Sequence, residues 1–379
     1  MNFDFDELVD RRGTWSTRWD RYAGKDVIPL WVADADFRAP PAVLRAMAAR
    51  IEHGILGYTA PPAELRDAIV ERLRRLYGWQ VQPEWVVFLP GVVPGLHHAV
   101  RTLTAPGDAV LVPTPVYQHL FQAVDAAGRR RLDVPLVLRE GRWILDLEAL
   151  RAHAGARPRM LMLCNPQNPG GTVFDAKELQ EVAAQSGEAL IVSDEIHCDL
   201  VLEPGKAHVP IASLDRTIGR RCVTLMSPNK AFNFPGDGCA WAVIEDERLR
   251  AAFAADLERH ILPMPSVLGY AGALAALQEG GEWLAALIAY LRANRDLVER
   301  AVASMPGLRM AHVEATYLAW IDCSEAAMAD PHAHFLARGV ALSPGSQFGD
   351  RRFVRLNFGT QRSRLVSALE RMGAGPGRR

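Results

Sequence analysis

Lys230 is the residue in this chain best suited to covalent chemistry. It lies in Ser227-Pro-Asn-Lys230-Ala-Phe-Asn233, directly after the apolar run 222–226. The chain carries 43 Lys+Arg, yet its only lysines are Lys25, Lys177, Lys206 and Lys230. A guanidinium can neither lose its proton nor form an imine, whereas an amine can do both. An amine kept at the end of a buried-looking strand reads as a Schiff-base lysine. The plainer alternative is a surface lysine after a strand, and the neighbouring residues decide between the two.

Those neighbours fall at other strand ends. The run 160–164 leads into Asn165-Pro-Gln-Asn168-Pro-Gly-Gly171, and 189–193 leads into Asp194-Glu-Ile-His197. The run 85–89 leads into Pro90-Gly-Val-Val-Pro-Gly95 at a helix start, and 109–112 leads into Pro113-Thr-Pro-Val-Tyr117. Ligands of open α/β sheets bind beyond the carboxyl ends of the strands. An amine, a carboxylate, an amide, an aromatic ring and a glycine turn therefore converge on one rim. Each suits an aldehyde cofactor with a pyridine ring and a phosphate. Lys230 would hold the aldehyde, and Asp194 would keep the ring nitrogen protonated so that the ring accepts electrons. Asn168 would bond the ring hydroxyl, Tyr117 would stack on the ring, and the helix N-terminus would receive the phosphate. A free lysine titrates near 10.4, so making it a base at neutral pH takes roughly 4–5 kcal/mol of help from its surroundings.

Each part also has a plain reading. Asn165–Gly170 could be only a turn. Asp194 with His197 lacks His-Glu-x-x-His spacing and a third ligand, so no metal is expected. His97 and His98 read as packing or surface residues. Gly236-Asp-Gly238 lacks the third glycine of a dinucleotide fingerprint. The coincidence of five strand ends carries the functional reading.

The elements that position these residues follow from hydrophobic pattern. Runs at 85–89, 109–112, 132–137, 160–164, 189–193, 222–226 and 240–244, separated by helix-sized segments, predict a mostly parallel seven-stranded sheet covered on both faces. Pro41 suits the first turn of a helix running towards His53, and Leu65, Ile69, Leu73 and Leu76 mark a second helix stopped at Gly78. Beyond about residue 275 a helix over 283–302 and sparser strands near 317–321, 340–342 and 353–358 predict a smaller α+β domain. The first forty residues read as an extended arm, and the tail from Gly373 to Arg379 as frayed.

Composition sets the outer bounds. At 379 residues, with 49% hydrophobic and 23% charged content, the chain has the makeup of a globular protein of about two domains. A net charge of −1 gives no broad attraction for nucleic acid or anionic membrane. Five cysteines without Cys-x-x-Cys spacing indicate neither a disulfide framework nor a zinc ribbon, and a reducing cytoplasm is expected. The acidic N-terminus lacks the form of a signal sequence, and no apolar stretch reaches a membrane span.

With these residues in place, the chain resembles the fold-type I pyridoxal-phosphate enzymes of the aminotransferase class I/II superfamily. More narrowly it resembles their MalY/PatB branch of cystathionine β-lyase-like C–S lyases. The matching stretches are Trp31-Val-Ala-Asp-Ala-Asp-Phe37, Gly57-Tyr-Thr59, Asn165-Pro-Gln-Asn-Pro169, Ser193-Asp-Glu-Ile-His197, Lys230-x-Phe-Asn233, Pro265-Ser-Val-Leu268, Thr316-Tyr-Leu-Ala-Trp320 and Phe353-Val-Arg-Leu-Asn357. The resemblance implies Lys230 as imine lysine and proton shuttle, Asp194 at the ring nitrogen, and Asn168 and His197 near the ring hydroxyl. It implies Tyr117 on the ring and Gly91, Val92, Val93 and Ser227 around the phosphate. Tyr58 would reach in from the other subunit of a homodimer, and Arg355, with Asn168, would bind the substrate carboxylate. One departure stands out: where the superfamily commonly has a phosphate-binding arginine, eight residues after the lysine, this chain has Gly238.

The expected domains are an arm at 1–40 belonging to the small domain, a large cofactor domain at 41–274 and a small domain at 275–379. The expected activity is pyridoxal-phosphate-dependent cleavage of a cysteine S-conjugate such as cystathionine to thiol, pyruvate and ammonia. The alternatives are an aminotransferase using the same lysine, and a non-catalytic binding protein on the same fold. The joint presence of Lys230, Asp194 and Arg355 argues against the last.

Overall fold

The structure is a computed structural model that describes residues 3–259 and 264–374. Its central sheet contains β1 (Val86–Leu89), β2 (Ala109–Thr114), β3 (Arg130–Arg139), β4 (Arg142–Leu145), β5 (Met160–Cys164), β6 (Leu190–Asp194), β7 (Cys222–Met226) and β8 (Ala240–Val243). They lie in the order β1-β8-β7-β6-β5-β2-β3-β4. The five strands from β7 to β3 run parallel, whereas β8 is antiparallel to both β7 and β1. All seven apolar runs form strands of this sheet. The eighth strand, β4, folds back on β3 across Glu140 and Gly141, both at positive φ (49° and 76°). Positive φ at both central residues is what a tight hairpin turn requires.

Every residue of β5 and β7 is buried, as in strands covered on both faces. Leu65, Ile69 and Leu73 of helix α2 (Ala63–Tyr77) pack into one covering layer, after α1 (Pro41–Glu52). Leu96 and Val100 of α3 (Val92–Leu103) pack into the other. Gly78 ends α2 in the left-handed region, at φ 64°, where glycine carries no side-chain penalty.

A third core gathers residues from both ends of the chain. Phe5, Leu30 and Phe37 pack with Leu287 and Leu291, and with Leu318, Ile321 and Leu356. These come from the arm, from α5 (Gly281–Ala303, which follows α4, Val267–Glu279) and from a second sheet. That sheet has the order β9 (Arg309–Met310), β10 (Leu318–Asp322), β12 (Phe353–Asn357), β11 (Ser343–Pro344). The arm is not wholly extended: it contains a short helical turn, Thr17–Asp20, and pairs Ile28–Pro29 with Val340–Ala341. Arg18 is fully buried and lies 3.4 Å from Asp34 and 3.3 Å from Asp36. The tail beyond Ala374 lies outside the described residues. No helix among those described is long and apolar enough to cross a membrane.

Candidate active site

At the carboxyl ends of the parallel strands lies a cavity of about 360 Å³. Lys230, Asp194, His197, Asn168, Tyr117, Ser227, Gly91, Val92, Val93 and Arg355 all line it. Of the residues singled out in the sequence, only Tyr58 is absent from its wall: it is fully exposed, in the irregular segment between α1 and α2.

Asp194 is the last residue of β6, and one carboxylate oxygen accepts the N–H of Ile196 at 3.1 Å. Burial raises its pKa to about 7, and the charge of Glu195 adds to the rise; the Ile196 amide and Lys230 oppose it. Glu195 points elsewhere, accepting Ser193 Oγ and facing His208 Nε2, each at 2.8 Å. Burial lowers Lys230 to about 8, with Arg355 pushing the same way and Asp34 and Asp194 opposing. His197 is driven down to about 3 by burial, with smaller pushes from Lys230 and Arg355, so its imidazole is neutral at pH 7. The pattern is that of a site built to receive charge: a carboxylate and an amine are held where neither is well solvated.

Arg355 comes from β12 in the second sheet and crosses to the first. Its guanidinium donates to Asn168 Oδ1 at 3.1 Å, to the Trp31 carbonyl at 2.9 Å and to Ser343 Oγ at 3.3 Å, and lies 4.6 Å from the centre of the Phe348 ring. Among the described residues its Nε has no hydrogen-bond partner, and neither has His197 Nδ1, although both atoms are buried. Unpaired buried donors and acceptors are destabilising, so both suit a site completed by a ligand. Sequence reasoning missed Ser343 and Phe348. Ser343 directly follows the apolar run 340–342 and could have been read from it, whereas no local signal marks Phe348.

The Gly91 turn opens α3, and no side chain caps that end. The first N–H groups of the helix are therefore available to an anion, although Pro94 at the third position supplies none. Ser227 is already engaged: its hydroxyl donates to the Cys239 carbonyl at 2.7 Å and accepts the Asn229 N–H at 3.2 Å. Gly238 lies against this turn so closely that a Cβ there would meet the Pro90 carbonyl oxygen at 2.0 Å. Arginine cannot occupy this position without moving the loop. An anion at this end of the cavity would therefore rely on main-chain donors.

These parts fit a ligand with an aldehyde, a ring nitrogen and a phosphate. Among the described residues no group of three or more His, Cys, Asp or Glu side chains is placed to hold a metal ion. A profile described as "Aminotransferase class I and II" matches residues 25–372.

The chain belongs to the aminotransferase class I and II family.

Within this family, the cystathionine beta-lyase PatB of Bacillus subtilis (strain 168) is 37% identical, over 98% of this chain and 99% of PatB. The protein MalY of Escherichia coli (strain K12) is 33% identical, over 97% of each chain. Among solved structures, OvoB is 44% identical with a TM-score of 0.95, covering 99% of this chain and 100% of OvoB. Cystalysin from Treponema denticola, which contains a pyridoxal 5′-phosphate cofactor, is 29% identical with a TM-score of 0.93, over 98% of each chain. The fold is therefore that of the fold-type I pyridoxal-phosphate enzymes, here with an eight-stranded mixed sheet and a smaller antiparallel one.

Proposed function

We propose that this protein is a pyridoxal-phosphate-dependent carbon–sulfur lyase that cleaves cystathionine or another cysteine S-conjugate to a thiol, pyruvate and ammonia. The observation that carries the reading is the meeting of Lys230, Asp194 and Arg355 in one cavity of a chain that is 37% identical to a cystathionine beta-lyase. Pyridoxal phosphate, when bound, supplies an aldehyde for amino groups and a ring that spreads the electron pair left at the substrate Cα.

The chain's own residues have separate tasks in this reading. Arg355 holds the substrate carboxylate, with Asn168 beside it, and fixes which substituent of Cα faces the lysine. The free amine of Lys230 takes the Cα proton; positioned general bases of this sort contribute about 10²–10⁴-fold. The Cβ–S bond then breaks, with the electron pair leaving on sulfur as a thiolate that is protonated to the thiol. Water hydrolyses the remaining three-carbon fragment to pyruvate and ammonia. Asp194 would pair with the ring nitrogen and keep it protonated, Asn168 and His197 would bond the ring hydroxyl, and Tyr117 would stack on the ring. The amides of Gly91, Val92 and Val93 would hold the phosphate, with Ser227 beside it.

In the same reading the protein is a cytoplasmic homodimer whose two sites lie at the subunit interface. Tyr58 is fully exposed and stands near Ile55 and Leu56, which are 68% and 61% exposed. Three such side chains within four residues fit burial against a second copy. The chain divides at 1–40, 41–274 and 275–379, with the arm belonging to the small domain.

The test is to incubate the purified protein with cystathionine and other β-substituted amino acids, with no 2-oxo acid added. Release of pyruvate and ammonia in equal amounts is expected. The second reading, an aminotransferase, is favoured by the name of the family and by relatives such as the Petunia hybrida aspartate and prephenate aminotransferase, 28% identical. It predicts product only when an amino acceptor is supplied.

A further inference from the structure

The segment from Trp31 to Phe37 is neither helix nor strand, yet each of its seven carbonyls accepts a side-chain donor. The donors are Arg355 and Ser343 on Trp31, Asn357 on Val32, Lys230 and Tyr317 on Ala33, and Arg18 and Asn357 on Asp34. Asn233 and Arg11 bond to Ala35, Gln361 to Asp36, and Asn233 again to Phe37. The strap is therefore pinned along its whole length, including where it crosses the lysine. At that crossing the Ala33 carbonyl is shared by the Lys230 amine and by the Tyr317 hydroxyl, the latter at 3.0 Å.

Tyr317 is held there by an unusual turn. Thr316 before it is fully buried and β-branched, yet adopts φ 74°, a left-handed conformation that such residues rarely take. Three contacts impose it. The Thr316 N–H donates to the Leu200 carbonyl at 2.8 Å, the Ala315 N–H to the Gly171 carbonyl at 2.9 Å, and the Leu318 N–H to Thr316 Oγ1 at 3.1 Å. Backbone strain held in place by its surroundings points to a functional constraint. Here the constraint is the aim of one hydroxyl at one carbonyl.

We infer that the Ala33 carbonyl is the docking point of the Lys230 amine whenever that amine is free, and that Tyr317 is the positioning residue that limits how tightly it binds there. The inference rests on the reading of Lys230 as the proton-transferring amine. Two donors on one carbonyl weaken each other, so the hydroxyl keeps the carbonyl from stabilising the ammonium form fully. Other charged or titratable groups act on the amine: Asp34 from the strap, Asp194 from β6, Arg355 from β12 and the neutral His197. Tyr317 in turn senses Asp34, Arg18 and Arg355 and remains a neutral phenol, held above its ordinary range by burial.

The test is Tyr317→Phe, which keeps the ring and removes the hydroxyl. With only four lysines, selectively ¹³C-labelled lysine gives a countable set of signals in the cofactor-free chain, and Lys230→Arg assigns the one of interest. The Lys230 titration is expected to rise by about half to one pH unit in Tyr317→Phe. In the holoenzyme, kcat with cystathionine should fall about three- to tenfold at pH 7 and return to within about twofold of wild type at pH 9, with KM unchanged. Thr316→Gly, which keeps the hydroxyl but frees the turn, should shift the titration the same way by less. An unmoved Lys230 titration in both variants overturns the inference, as does a loss of kcat that persists at pH 9. Because the titration needs no cofactor, it fails or succeeds independently of the lyase assignment.

Discussion

Asp194 and Lys230 each resist charging in the cavity, and the sign of that resistance makes it testable. Asp194 titrates near 7 in the folded chain, against an ordinary value of 3.8. Between those values the native state binds more protons than the unfolded one, so this residue lowers stability as pH rises through that window, and the whole penalty is present above it. Lys230, lowered from 10.5 to about 8, acts oppositely: its penalty is complete below 8 and fades as pH rises to 10.5. Near pH 8 the cofactor-free protein therefore carries the full cost of Asp194. Asp194→Asn should be about 2–4 kcal/mol more stable than wild type at pH 8 and nearly equal to it at pH 4, as read by urea unfolding of cofactor-free protein. The same variant should lose about 10²-fold or more in kcat/KM. Destabilisation at pH 8 would show that the carboxylate is satisfied without a ligand. Lys230→Ala should still take up cofactor but should be inactive and lack the absorbance band of the imine; a fully active variant would end the lyase reading.

The helix and loop that meet at the anion-binding end carry a different prediction. Because a Cβ at 238 collides with the Pro90 carbonyl, Gly238→Arg should not strengthen cofactor binding, although it restores the residue common in the superfamily. It should displace the Pro90–Gly91 turn and weaken binding, measured as cofactor remaining after dialysis; tighter retention would contradict this. Wild type itself should lose cofactor faster than arginine-bearing relatives, since main-chain dipoles replace a formal charge. Four of the five parallel strands are legible in the sequence because each is a short, mostly apolar run buried on both faces; β3 instead alternates buried Val134 and Leu136 with more exposed neighbours. Strand β4 is not legible, because Arg142, Trp143 and Ile144 are only half-buried and carry no alternation. The five strand ends are legible for the same reason as the strands. The strap at 31–37 stands out as a motif, but its role is hidden. Its donors lie up to 325 residues away, and an asparagine such as Asn357 gives no local sign of what it will bond.

Taken as one object, the chain joins its two ends around a shared core, so arm and C-terminal region are expected to unfold together rather than separately. The exposed Ile55, Leu56 and Tyr58 belong to none of the three cores among the described residues. Sedimentation should report a dimer, and Tyr58→Ala should weaken cofactor retention several-fold without altering the Lys230 linkage; a monomer with full activity would refute the interface site. The arrangement as a whole depends on one covalent attachment. Reducing the holoenzyme with borohydride and mapping the modified peptide tests it directly. The phosphopyridoxyl group is predicted on Lys230 alone among the four lysines, and its appearance on Lys25, Lys177 or Lys206, or on none of them, would contradict the account.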